Sequence, residues 1–265
     1  IQFLFLLTWV VYVIYLGDLL AKLGLPKDFV PKLLLLDQVL FVVADVALGF
    51  QADRVLRLFR SVAPLVLVLN LLSCLVFVAL PHLASAAPGL FIAATVLWVL
   101  SASVLRAPVY GLIARRSAEP GRGTASALVG MRLASAAAPY LGVALKGIDP
   151  MLPFVLSGVA LALATLGFSA WEAAQARPSE ATARTPRVSG IRRLAVIAVL
   201  LGLGFQMHVF LNSAPLFKSV ADPALLPWLM PVFWIGFSLA VFPGAGPAER
   251  HGAEHGLHGE VRGPR

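Results

Sequence analysis

The sequence predicts an all-α, polytopic membrane protein. Hydrophobic residues make up 59% of the 265 residues and charged residues only 13%, about half of the roughly 25% that is typical of soluble domains. The apolar residues form runs long enough to cross a bilayer, which takes about 20 residues of helix. Because these runs are apolar on every side, they do not resemble the alternating strands of a membrane barrel. This composition excludes an ordinary soluble enzyme, a disordered chain and a disulfide scaffold.

Eight runs have the length and hydropathy of a span. The first run is interpreted as a span and not as a signal peptide, because it has no basic segment before it and no suitable cleavage site. Arg132 interrupts the fifth run, but the small residues from Ala134 to Ala138 suit close helix packing in lipid. The predicted spans cover about residues 1–21, 33–52, 62–81, 86–112, 124–145, 150–171, 193–213 and 225–243.

The basic residues predict the orientation of these spans. Eleven arginines fall in the loops after the second, fourth and sixth spans, whereas five lysines fall in the opposite loops. Cytoplasmic loops carry the excess of Lys and Arg, so the arginine-rich loops are expected in the cytoplasm. This topology accounts for the net charge of +8, and no nucleic-acid partner is expected. The expected location is a cell membrane, with the bacterial inner membrane preferred.

A polar stretch divides the chain. Residues 172–192 contain Pro178, Pro186 and several arginines, which is typical of a flexible linker. The predicted domains are therefore a six-helix bundle over 1–171, a cytoplasmic linker over 172–192, and residues 193–265 with two helices and a polar tail.

The loop predicted after the second span contains a recognisable pattern. Gly49, Asp53, Arg54 and Arg57 resemble the Gly-x-x-x-Asp-Arg-x-Gly-Arg-Arg signature of the major facilitator superfamily, although Leu56 replaces one glycine. The resemblance implies a major-facilitator-like N-terminal bundle followed by the first two helices of a second bundle, about eight of the family's twelve spans. It also implies that the acid of this motif latches one conformation.

The function implied by the resemblance is secondary active transport of a small solute by alternating access. The partners expected are that solute and a coupling ion, for which a proton is preferred. The alternative is a truncated, non-transporting membrane remnant, or a half-transporter that needs a partner chain. A membrane-embedded hydrolase has only His208 in its favour, so no enzyme is expected. No cofactor is expected either, and no glycine-rich phosphate loop suggests ATP as the energy source.

Ionisable residues inside spans are costly and are candidate sites. Asp45 lies eight residues before Asp53, about 12 Å inside the membrane. Arg106 and Arg132 lie at similar depths in the fourth and fifth spans. Asp45 could form a structural ion pair with an arginine, or the three residues could form a coupling or substrate site. In the third alternative, the arginine side chains extend to the membrane interface. All three alternatives remain open at this point.

Further candidates lie near the span ends and in the seventh span. Asp18 is a coupling candidate because Tyr12 and Tyr15 precede it. For Asp37, a solvated residue at the start of the second span is favoured over a proton site, and Asp37 is expected to matter less than Asp45. His208 could carry a proton, or it could form interhelical hydrogen bonds together with its polar neighbours Gln206 and Asn212. No metal site is expected, because glycines interrupt the histidine-containing tail.

Overall fold

The structure, a computed structural model, describes residues 1–58, 63–105, 120–174, 191–208 and 214–226, together with seven helical positions between 228 and 239. Every regular element in these ranges is helical, and none of the described residues forms a strand. The helices are α1 (Gln2–Lys22), α2 (Phe29–Leu58), α3 (Ala63–Leu83), α4 (Pro88–Ala102), α5 (Pro120–Ala144), α6 (Met151–Ala174), α7 (Ile191–Met207) and α8 (Ala214–Val220), with a 3-10 turn over Ser103–Leu105 after α4.

Four of these helices contain segments that are long and apolar enough to cross a membrane. The segments are Gln2–Lys22 in α1, Val66–Leu83 in α3, Gly123–Ala144 in α5 and Met151–Trp171 in α6. The prediction of an all-helical protein with several membrane-compatible helices is therefore confirmed for the described residues. The apolar part of α4, Pro88–Ala102, is shorter than a span. The other predicted spans, and the two-bundle arrangement, remain predictions.

The outer surface of the helices is also apolar. On α2, the side chains of Leu35, Val42 and Val43 are each more than half exposed. Water would make such a surface prone to aggregation, whereas lipid tails solvate it. The opposite face of α2 is buried through Leu33, Asp37, Phe41 and Ala44, a spacing that follows one helix face. This helix thus presents an apolar face outward and an acid inward, the reverse of a helix on a soluble protein.

Aromatic rings link four helices around the core. Tyr12 of α1 contacts Trp98 of α4, and Trp98 contacts Phe77 of α3, with ring centroids 4.8 and 5.2 Å apart. Phe77 stacks on Phe154 of α6 with ring centroids 4.5 Å apart. The ring centroid of Phe154 also lies 6.2 Å from that of Tyr15 on α1. These contacts hold α1, α3, α4 and α6 at one level. Close aromatic pairs contribute about 0.5–1.5 kcal/mol each beyond simple burial.

Glycines permit close approach at two helix pairs. A Cβ at Gly158 of α6 would lie 2.9 Å from a methyl carbon of Val78 and 3.3 Å from a ring carbon of Phe77, both on α3. A Cβ at Gly130 of α5 would lie 3.3 Å from the backbone nitrogen of Phe3 on α1. Small residues at helix contacts are typical of membrane bundles, because van der Waals packing replaces the hydrophobic effect there.

The second and fourth helices differ from the predicted spans. α2 continues to Leu58, so Asp53, Arg54 and Arg57 lie in its last turns and the prediction that these three residues form a loop is wrong. Gly49, predicted within the span, also lies in α2. Arginine is a good helix former, and a polar helix end can continue past the apolar zone into water. The side chains of these four residues are outside the described part of the structure.

In α4 the α-helical geometry gives way to a 3-10 turn at Ser103. The Ser101 hydroxyl donates to the Leu97 carbonyl at 2.7 Å, and the Ser103 hydroxyl donates to the Val99 carbonyl at 3.0 Å. Such bonds to the preceding turn compete with the regular helical ladder, and they accompany the change of geometry. Residues 106–112 of the predicted fourth span lie outside the described residues.

Candidate functional site

A buried polar cluster lies where α1, α2 and α4 meet. It consists of Tyr12, Asp37 and Thr95, and each of these residues is 0% exposed. The Tyr12 hydroxyl lies beside the Asp37 carboxyl group and beside the Thr95 hydroxyl. The ring of Trp98 packs against Tyr12 and closes the cluster on the α4 side. Three helices therefore direct oxygen atoms into one enclosed space.

The hydrogen bonds of this cluster are incomplete. The Thr95 hydroxyl donates to the Phe91 carbonyl at 2.9 Å, a bond within its own helix. Tyr12 Oη and both carboxyl oxygens of Asp37 are buried, and none of the three has a hydrogen-bond partner among the described residues. An ionised carboxylate enclosed without a partner costs several kcal/mol or more. The Asp37 group therefore needs either a proton or a neutralising ligand.

The three residues of the cluster lie at similar distances from the ends of their helices. Asp37 is eight residues into α2 and Thr95 is seven residues into α4, which corresponds to about 12 and 10 Å along each helix. Tyr12 is ten residues before the end of α1, or about 15 Å. All three side chains therefore lie about 10–15 Å along their helices from these ends, a distance comparable to half of a hydrocarbon core about 30 Å thick.

The expectation that Asp37 is solvated is wrong. Asp37 was assigned to the beginning of a span, but α2 already begins at Phe29, two turns earlier. Its side chain turns inward and is fully buried. A signal for this was present in the sequence, since Leu33 and Phe41 stand one turn before and one turn after Asp37 on the buried face.

The predicted triplet Asp45, Arg106 and Arg132 is only partly visible. Asp45 on α2 and Arg132 on α5 are half-buried, and each takes part in a further interaction. Arg106 lies outside the described residues. The proposal that the three charges form one cluster remains a prediction.

The remaining candidates lie away from the cluster. Asp18 is exposed, four residues before the end of α1. His208 is exposed just after α7 and takes part in an interaction with another group, while the side chains of Gln206 and Asn212 are outside the described part. The motif Gly49, Asp53, Arg54 and Arg57 is placed in α2, but its side-chain geometry is also outside that part. The roles assigned to these residues remain predictions.

A second buried polar contact, not predicted from the sequence, lies between α3 and α6. The Asn70 side chain donates to the Thr165 hydroxyl at 2.8 Å, and that hydroxyl donates to the Leu161 carbonyl at 2.9 Å. Both side chains are 0% exposed. An Asn inside an otherwise apolar predicted span was the available signal. Because its amide is used in a direct bridge between helices, this contact fits a structural role.

Fold and site together define the class of the protein. It is an all-helical protein with several membrane-compatible helices, and a polar site is enclosed between three helices of its N-terminal half. No protein-family model, curated protein or solved structure matches the chain.

Proposed function

We propose that this protein is a secondary active transporter that moves a small solute across the membrane by alternating access. The observation that carries the proposal is the enclosed acid Asp37, which has no hydrogen-bond partner in the described structure. Ionisable groups within a membrane are rare, and they are most often found on substrate or ion pathways. A purely structural acid would be expected to have a fixed partner, as Asn70 has in Thr165.

The surroundings of Asp37 also suit a site that opens and closes. The cluster is shared by α1, α2 and α4, so a small relative movement of these helices changes what surrounds the carboxyl group. The 3-10 turn after α4 packs against α2, α3 and α4, so a movement of α4 is passed to its neighbours. In the proposed mechanism, two major-facilitator-like bundles rock about a central site, and the site faces each side of the membrane in turn.

The motif at the end of α2 has a gating role in the proposed mechanism. Asp53 lies in the last turns of the same helix that carries Asp37. In the proposed transporter Asp53 meets a helix N-terminus of the other bundle, where a negative charge gains about 0.3–1 kcal/mol. Movement of α2 therefore links the latch at its cytoplasmic end to the acid at mid-depth.

Uptake by cells that express the chain tests the proposal. A panel of labelled small solutes, including sugars, amino acids and organic acids, is offered to these cells and to cells with an empty vector. We expect accumulation of one solute class above the vector control, and its loss when a protonophore collapses the proton gradient. Asp28→Asn serves as a matched control, because it removes an exposed acid that lies one residue before α2 and has no assigned role. A chain that inserts stably but accumulates no solute under any gradient would contradict the proposal.

A further inference from the structure

The oxygen atoms around Asp37 need a hydrogen-bond donor. The hydrogen of the Thr95 hydroxyl is used in the bond to the Phe91 carbonyl, so within the cluster Thr95 can only accept. Tyr12 supplies one hydrogen, and an ionised Asp37 supplies none. One donor thus serves three acceptor oxygens, namely the two of Asp37 and the one of Thr95. A proton on Asp37 adds a second donor and removes the buried charge at the same time.

Among the residues that the structure describes on α1, α2, α4 and the 3-10 turn, no basic group supplies the missing positive charge. α4 and the following 3-10 turn carry no charged residue, and the only basic residue of α1 is Lys22, ten residues beyond Tyr12. On α2, Lys32 is exposed and lies five residues before Asp37, on a different face, while Asp45 carries the same sign as Asp37. Among the described residues of the helices that pack against α2, Tyr12 is the one titratable group that faces Asp37.

A metal cation fits this space less well than a proton does. The three side chains offer four oxygen atoms in all. The hard cations Ca²⁺ and Mg²⁺ take about six or more oxygen ligands, and a divalent ion would leave an uncompensated charge beside one carboxylate. A proton requires one carboxyl oxygen and one acceptor, both of which are in place.

We propose that Asp37, Tyr12 and Thr95 form a proton-binding site, in which the Asp37 carboxylate takes a proton from the aqueous phase and the resulting hydroxyl donates to Thr95 or Tyr12. The inference rests on the proposed function only for its biological use, since it names the coupling ion of that transporter. Proton binding itself is a property of the folded chain and is measured without any solute.

Infrared spectroscopy of the purified full chain in detergent tests the inference, because a protonated carboxyl group absorbs apart from a carboxylate. Exposed Asp side chains ionise near pH 4, so in mildly acidic buffer they contribute carboxylate signals. We expect one protonated carboxyl band in this buffer that disappears as the pH is raised. The band should be absent in Asp37→Asn and retained in the matched control Asp28→Asn, which removes an exposed acid.

Two hydroxyl deletions refine the test. Thr95→Val removes an acceptor for the protonated acid, so half-loss of the band should move to lower pH. Tyr12→Phe removes the one hydroxyl beside Asp37 that can donate to it when it is ionised, so half-loss should move to higher pH. A merely structural cluster would not produce shifts of opposite sign.

The outcomes are distinct from those of the uptake experiment. If the Asp37→Asn spectrum lacks a carboxylate band that wild type shows at mildly acidic pH, Asp37 is ionised there and the inference is overturned. A protonated band that Na⁺ removes but K⁺ does not would also overturn it, because the site would then bind an alkali cation. If the chain shows the protonated carboxyl band but takes up no solute, the transport proposal is contradicted and the proton-binding site is still supported.

Discussion

The contact between α3 and α6 provides a sharp test of the helix packing. Gly158 is buried on α6 against α3, and an added Cβ would lie 2.9 Å from Val78 and 3.3 Å from Phe77. Phe77 cannot yield easily, because its ring stacks on Phe154 on one side and contacts Trp98 on another. Gly158→Ala should therefore force the two helices apart.

The magnitude follows from a comparison with a second glycine of the same helix. Overpacking a close contact costs about 1–3 kcal/mol, while replacing Gly by Ala within a helix returns about 0.8–1.0 kcal/mol. A Cβ at Gly167 would meet nothing within 4 Å, so Gly167→Ala has the propensity gain alone. Because the gain is common to both variants, Gly158→Ala should be less stable than Gly167→Ala by about 1–3 kcal/mol.

Reversible unfolding in mixed micelles, with sodium dodecyl sulfate as denaturant and circular dichroism as signal, measures this difference. Wild type should lie between the two variants, about 0.8–1.0 kcal/mol below Gly167→Ala. Equal stability of the two alanine variants would refute the reasoning, since it would mean that α3 and α6 do not approach each other at Gly158.

Three further predictions concern other parts of the chain. The Asn70–Thr165 hydrogen bond should show a coupling of about 0.6 kcal/mol in a double-mutant cycle with Asn70→Leu and Thr165→Val, as is usual for polar contacts between membrane helices; additive effects would contradict the bridge. In a background that lacks the single native cysteine, a cysteine in place of Ser117 should resist an impermeant thiol reagent applied outside intact cells, and strong labelling would reverse the orientation. Asp37→Asn should reduce solute uptake at least as strongly as Asp45→Asn, because Asp37 is fully buried and Asp45 is half-buried; a much weaker effect at Asp37 would count against its role.

Helix positions were largely predictable because lipid imposes a simple rule on sequence. A spanning helix needs a long apolar run, and the runs that became α1, α3, α5 and α6 satisfy that rule. Arg132 and Pro139 did not prevent α5 from continuing from Pro120 to Ala144. At the end of α2 the polar residues mark only where the apolar part of the helix stops. The helix itself continues to Leu58.

The site was harder to predict because hydropathy does not show which way a side chain faces. Asp37 was assigned to solvent from its place near a span end, although Leu33 and Phe41 already marked the buried face of α2. Its neighbours Tyr12 and Thr95 come from helices distant in sequence, and their meeting depends on how α1 and α4 pack against α2. Only the three-dimensional arrangement brings these hydroxyl groups to one carboxyl group.

Measurement of proton movement through the reconstituted protein tests directly whether Asp37 couples solute transport to the proton gradient. Proteoliposomes that contain the full chain and an internal pH-sensitive dye are exposed to the solute class found by the uptake panel. We expect a solute-dependent change of internal pH that is absent in Asp37→Asn and retained in Asp28→Asn, which removes an exposed acid. A solute-dependent proton flux that Asp37→Asn leaves unchanged would contradict the claim that Asp37 is the acid that couples transport to the proton gradient.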